Sequence, residues 1–162
     1  MRKTTIKVYK YSELSEKAKA KVLSHFRENN TNDFLSDDLT EFIREELKKK
    51  RIFNENLKVY YSLSNCQGDG LCFIGTFGYK KNKIYIKHSG MYYHSNSVTF
   101  ETENKNGELI ETDKSFIELY KNICKKAEKI GYETMDYEDS ETAIKENIDA
   151  NDYEFYDNGD IF

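Results

Sequence analysis

Two cysteines and two histidines are the residues with most chemistry to offer. Cys66 and Cys72 stand six residues apart across the segment Asn65-Cys66-Gln67-Gly68-Asp69-Gly70, and His88 and His94 stand six apart further along. Thiolate and imidazole are preferred zinc ligands, but structural zinc sites usually pair cysteines roughly two to four residues apart on a tight knuckle. The spacing argues against a metal, and small buried cysteines are the simpler expectation. A thiol nucleophile would need an imidazole beside it, and spacing alone supplies no such neighbour. No catalytic residue, metal or cofactor is expected on these grounds. With Cys124 the cysteines number three, an odd set that suits reduced thiols in a cytoplasm better than a disulfide framework.

Two glycines within three residues make Gln67-Gly68-Asp69-Gly70 the most conspicuous turn. Glycine opens backbone angles closed to other residues and lets another group approach the main chain. The glycine spacing is wrong for a dinucleotide or phosphate loop, and no helix is expected to follow it. A hairpin turn is the plain reading. The polar, aromatic stretch His88-Ser89-Gly90-Met91-Tyr92-Tyr93-His94-Ser95 follows a strand, where recognition loops tend to fall.

The elements that must position these residues read as α+β, an antiparallel meander packed with about four helices. Thr4 to Lys10 alternates as a strand. Ser12 is a candidate cap for a helix with Leu14, Ala18, Val22 and Phe26 on one face. Ser36-Asp37-Asp38 starts a second helix, with Lys48-Lys49-Lys50-Arg51 at its negative end. Strands follow at Leu57–Leu63, Leu71–Tyr79, Lys83–His88 and Val98–Glu103, and Asn106-Gly107 turns the chain into a short strand at Glu108–Thr112. Asp113 caps a helix that Gly131 is expected to end. A shorter helix at Asp139–Asn151 precedes a C-terminal hairpin around Asp157-Asn158-Gly159. One domain over residues 1–162 is the expected organisation.

The net charge of −4 hides an asymmetry. From Glu133 onward eleven acids face one base, Lys145, so that segment carries −10 and the remainder +6. Asp149, Asp152, Glu154, Asp157 and Asp160 form a candidate acidic face for a basic partner, or for one whose own ligand is a nucleic acid. Direct nucleic-acid binding by this chain is disfavoured, because its lysines are scattered and lack interleaved aromatics. No apolar run approaches the roughly 20 residues that span a bilayer, and Met1 to Thr5 leads into no apolar stretch of the secretory kind. A cytoplasmic protein without a membrane partner is expected.

With these residues in view, the chain resembles a family of small phage and prophage proteins, some of which carry the label "antitoxin of toxin–antitoxin stability system". The resemblance runs through Val8 to Ala18, through Tyr61 to Phe73 with its Gln-Gly-Asp-Gly core, through His88 to His94, and through Asn151 to Gly159. Family members often have Ser where this chain has Cys66, which implies that no thiol is essential there. The resemblance also implies that Gln67, Asp69, Tyr93 and His94 form one surface; with Gly68, Gly70, His88 and Tyr92 they make the candidate ligand or partner surface. It further implies a phage accessory product acting in the host cytoplasm. The leading expectation is a non-enzymatic, anti-CRISPR-like inhibitor that binds a host defence protein. The alternatives are a nucleotide-like ligand binder or enzyme using Gln67, Asp69 and His94, and an antitoxin or regulator.

Overall fold

The computed structural model describes residues 5–162. The chain divides into two compact units, residues 1–32 with 134–162, and residues 33–133. Among the described residues, four α-helices and a five-stranded antiparallel meander make an α+β fold.

The larger unit holds α2 (Leu35–Lys49), β1 (Phe53–Ser62), β2 (Gly70–Tyr79), β3 (Asn82–His88), β4 (Val98–Glu103), β5 (Leu109–Ile110) and most of α3 (Lys114–Glu138). Strands pair in sequence order, because each is joined to the next by a connection short enough for antiparallel neighbours. The β2–β3 turn is Lys80-Lys81, both at positive φ, and the Lys80 amine is held 2.8 Å from Asp113 at the start of α3. Asp113 caps that helix as expected, accepting the Ser115 N–H at 2.8 Å. Helix α2 buries Leu35, Leu39, Ile43 and Leu47 along one stripe, and the Lys126 amine of α3 reaches its Glu46 at 3.0 Å.

Helix α3 turns Phe116, Tyr120, Ile123, Cys124, Ala127 and Gly131 inward, a helical period that lays one face on the sheet. The aromatic rings interlock there. Tyr120 lies 4.4 Å from Phe73 between ring centroids, and Phe100 meets Tyr120 edge-on at 5.2 Å. The β2–β3 ladder ends at Gly75 and Ile86, which leaves Phe73 without a β3 partner. The Tyr120 hydroxyl fills that gap, accepting from the Phe73 N–H (3.1 Å) and donating to the Phe73 carbonyl (3.0 Å). Gly131 does not end the helix, contrary to the sequence expectation. It is buried mid-helix, where a β-carbon would run into the Leu63 side chain.

The smaller unit packs α1 (Glu16–Glu28) with α4 (Glu141–Ala150) and the C-terminal segment. Its core is Tyr11, Leu14, Ala18, Val22, Ile144, Ile148 and Phe155. Ser15 is the α1 cap and accepts from the Ala18 N–H; Ser12, the expected cap, lies in the preceding short 3-10 turn. Of the expected first strand, residue 4 is outside the described residues, and the rest reduces to a bridge between Tyr9 and Phe155. The expected C-terminal hairpin is likewise a single bridge, Phe155 to Ile161. Gly159, at φ +86°, brings its turn so close to α1 that a β-carbon would sit 2.7 Å from the Ala18 carbonyl oxygen. No helix among the described residues is long and apolar enough to cross a membrane.

Replacing Tyr120 by Phe keeps the ring and leaves two buried Phe73 backbone groups unpaired. Urea denaturation should show a loss of about 1–3 kcal/mol, with the m-value unchanged.

Candidate functional site

The site begins where β1 hands over to β2. Ser62 pairs with Gly70, and the seven residues between them must close a loop wider than a two-residue hairpin. The backbone alone provides one closing bond, from the Asp69 N–H to the Cys66 carbonyl at 3.1 Å. The Asp69 side chain does the rest. One carboxylate oxygen accepts from the Ser62 hydroxyl (3.2 Å) and the Cys66 thiol (3.1 Å). The other accepts from the Ser64 N–H (2.7 Å), the Cys66 N–H (3.0 Å) and the Tyr132 hydroxyl of α3 (2.5 Å).

Five donors saturate a carboxylate that offers about four lone-pair sites. The Tyr132 bond, ahead of the bonds from Cys66 and Ser64, holds the Asp69 carboxyl far below the usual carboxylate range. The same bond pushes the Tyr132 hydroxyl up to about 12. Asp69 is therefore an ionised clamp on its own turn, with its acceptor capacity used internally. A ligand taking hydrogen bonds from it would have to displace these donors.

The glycines then become legible. A β-carbon on Gly68 would lie 3.1 Å from the Tyr92 ring, and one on Gly70 would lie 2.7 Å from Nδ1 of His94 and 3.1 Å from the Tyr93 carbonyl oxygen. The turn and the His88–His94 segment thus meet face to face, and the missing side chains are the room for that contact. The second segment is closed by its own bonds: Ser89 N–H to the Ser97 carbonyl (2.8 Å), Ser97 N–H to the His94 carbonyl (2.8 Å), and His88 Nε2 against the Tyr92 carbonyl (3.1 Å). Tyr60, on β1, joins them. Its ring stacks on Tyr93 at 5.5 Å and 19°, and His88 lies within 5.8 Å of both. Tyr92 and His94 form a second pair at 5.7 Å.

Seven of the eight residues read from the sequence as one surface, Gly68, Asp69, Gly70, His88, Tyr92, Tyr93 and His94, are joined by these contacts. Gln67 is exposed in the same turn. Two contributors escaped sequence reading: Tyr60, one of two adjacent tyrosines in a strand, and Tyr132, sixty-three residues from Asp69. The cysteines flanking the turn differ in kind. Cys66 is exposed and bonded to Asp69, whereas Cys72 is buried and desolvation pushes its thiol up to about 11.

The acidic face lies in the smaller unit and is partly neutralised within it. Asp160 pairs with Lys21 at 2.6 Å, and Asp152 and Glu154 lie 3.6 and 3.8 Å from Lys10. That unit holds nine Lys and Arg against thirteen Asp and Glu, a net −4, which leaves the larger unit at zero. The −10 of the tail is thus diluted by the basic N-terminal residues of its own unit.

No family model, curated protein or solved structure matches the chain.

Because the folded pKa of Asp69 is lowered, the stability it contributes is complete above the ordinary carboxylate pKa of about 4 and is lost as pH falls through that value toward the folded one. Asp69→Asn should lower Tm by a constant amount from pH 8 to about pH 5, and the gap to wild type should narrow below about pH 4. Thermal melts across that range check it.

Proposed function

We propose that the chain is a non-enzymatic binding protein that docks a protein partner on the aromatic face formed by Tyr60, Met91, Tyr92 and Tyr93. The single observation that carries this reading is the exposure of that face on a fixed backbone: Met91 is 85%, Tyr92 53% and Tyr93 37% exposed, while the turn beneath them is clamped by Asp69. Aromatic and methionine side chains are enriched at interface cores, and rings already held by stacking lose little freedom on binding. Asp69 has no acceptor capacity to spare, which counts against a small ligand held by hydrogen bonds to it.

The biological setting we propose is that of a phage-encoded inhibitor of a host defence protein, anti-CRISPR-like in covering a functional surface. It draws on the resemblance carried by Gln67 to Gly70 and His88 to His94. In this reading the acidic face acts at long range. Its charges steer encounter and add salt dependence, with less effect on the lifetime of the complex.

Tagged wild-type protein should retain a defined host protein that Tyr92→Ala with Tyr93→Ala releases, each truncation of a central aromatic costing about 2 kcal/mol or more, roughly thirtyfold in Kd. Neutralising Asp152, Glu154 and Asp157 should change Kd by no more than about threefold at 150 mM salt while slowing association at low salt. A partner released only by neutralising the acids would overturn the assignment of the aromatic face.

A further inference from the structure

One buried side-chain polar atom among the described residues has no hydrogen-bond partner: the hydroxyl of Tyr11. Tyr11 is 7% exposed and belongs to the core of the smaller unit, its ring edge-on to Phe155 at 6.5 Å. It also lines a surface depression of about 510 Å³. A buried hydroxyl usually finds a partner, so an orphan beside a polar depression calls for an explanation.

The depression supplies donors that can converge with the hydroxyl. Lys145 sits with its amine 5.6 Å from the Tyr11 ring centroid, and Lys19 and Ser12 also line the depression. Each amine is parked on a carboxylate of its own helix, Lys145 on Glu141 at 2.6 Å and Lys19 on Glu16 at 3.0 Å. Such exposed intrahelical pairs are weak and exchange readily. Burial, then Glu141, raises the Tyr11 pKa, so the hydroxyl keeps its proton at neutral pH and remains a donor.

We propose that this depression binds a small oxyanion, of phosphate or carboxylate chemistry, held by the Tyr11 hydroxyl and the redirected amines of Lys19 and Lys145. An oxyanion offers an acceptor to the stranded O–H and to both amines at once. A cation would leave the hydroxyl proton unpaired. Three carboxylates, Glu16, Glu141 and Asp149, line the depression with the two amines. Glu16 and Glu141 hold those amines at rest, while Asp149 makes no ion pair or side-chain hydrogen bond among the described residues, so it works against an anion without compensation and sets the sign of a test.

The probe is inorganic phosphate, titrated against wild type and variants with sodium chloride at matched ionic strength. Binding is followed by NMR shifts at Tyr11, Ser12 and Lys145 and by Tm. Phosphate stabilises most proteins by exclusion from their surface, and Tyr11→Phe provides the baseline for that effect. The expected result is saturable shifts in wild type and at least tenfold weaker binding in Tyr11→Phe. Without phosphate, Tyr11→Phe should melt higher than wild type, because the stranded hydroxyl is gone. Asp149→Asn should tighten binding several-fold. A parallel titration with malonate separates carboxylate from phosphate preference, and saturable binding of either anion supports the site. Shifts that do not saturate with either anion, an equal response in Tyr11→Phe, a lower melting point for that variant, or weaker binding in Asp149→Asn would each overturn the proposal.

Discussion

The carboxylate of Asp69 holds together a stretch of chain that has little other reason to be ordered. The loop from Leu63 to Asp69 is largely exposed, and only Leu63 in it is buried. Its shape comes from one ionised group collecting donors from Ser62, Ser64, Cys66 and Tyr132. Bonds to an ionised acceptor are stronger than neutral ones, and several on one group reinforce its charge. Tyr132 ties the loop to a helix, so the turn inherits the rigidity of the core that α3 forms with the sheet. With the turn held, Gly68 and Gly70 offer flat backbone, and the rings of Tyr92 and His94 lie against it.

That arrangement accounts for the fixed, exposed rings of Tyr92 and Tyr93. A surface loop with Tyr92 and Met91 outward would ordinarily sample many conformations, and ordering it on binding would consume affinity. Here the order comes from the fold, through the Ser89–Ser97 closure, the stack of Tyr93 on Tyr60 and the contact with the glycines. The same logic explains the Tyr120 hydroxyl bridging both Phe73 backbone groups: the sheet opens beside the site, and a side chain repairs the ladder. The smaller unit follows a different principle. Its acidic tail is ordered because Phe155 is fully buried and bridges Tyr9 and Ile161, and because Lys10 and Lys21 lie beside its carboxylates.

Much of this was readable in the sequence wherever a local signal sufficed. The β4 strand, Val98–Glu103, and the Asp113 cap follow from alternation and from a side chain reaching its own backbone two residues on. The meander follows from short connections. Gly131 misled because a glycine late in a helical pattern reads as a stop, while its actual role depends on Leu63, sixty-eight residues away. Ser12 misled because Ser15 is an equally good cap three residues on, and the packing of Tyr11 and Leu14 decides between them. At the site, the sequence shows that Gly68 and Gly70 need space but not what fills it. Asp69 looked like a free hydrogen-bonding group because four of its five donors come from nearby residues of unremarkable type, Ser62, Ser64 and Cys66, and the fifth, Tyr132, is remote.

The central claim is that the Asp69 clamp positions the aromatic face. The most direct measurement is NMR of cross-peaks from the Tyr92 ring to the Gly68 α-protons and from the His94 ring to the Gly70 α-protons, in wild type and in Asp69→Asn. The account predicts both cross-peaks in wild type and their loss in the variant, while contacts between Phe73 and Tyr120 persist. Cross-peaks of equal intensity in the two proteins would contradict it and place the order of the face in the His88–His94 segment itself.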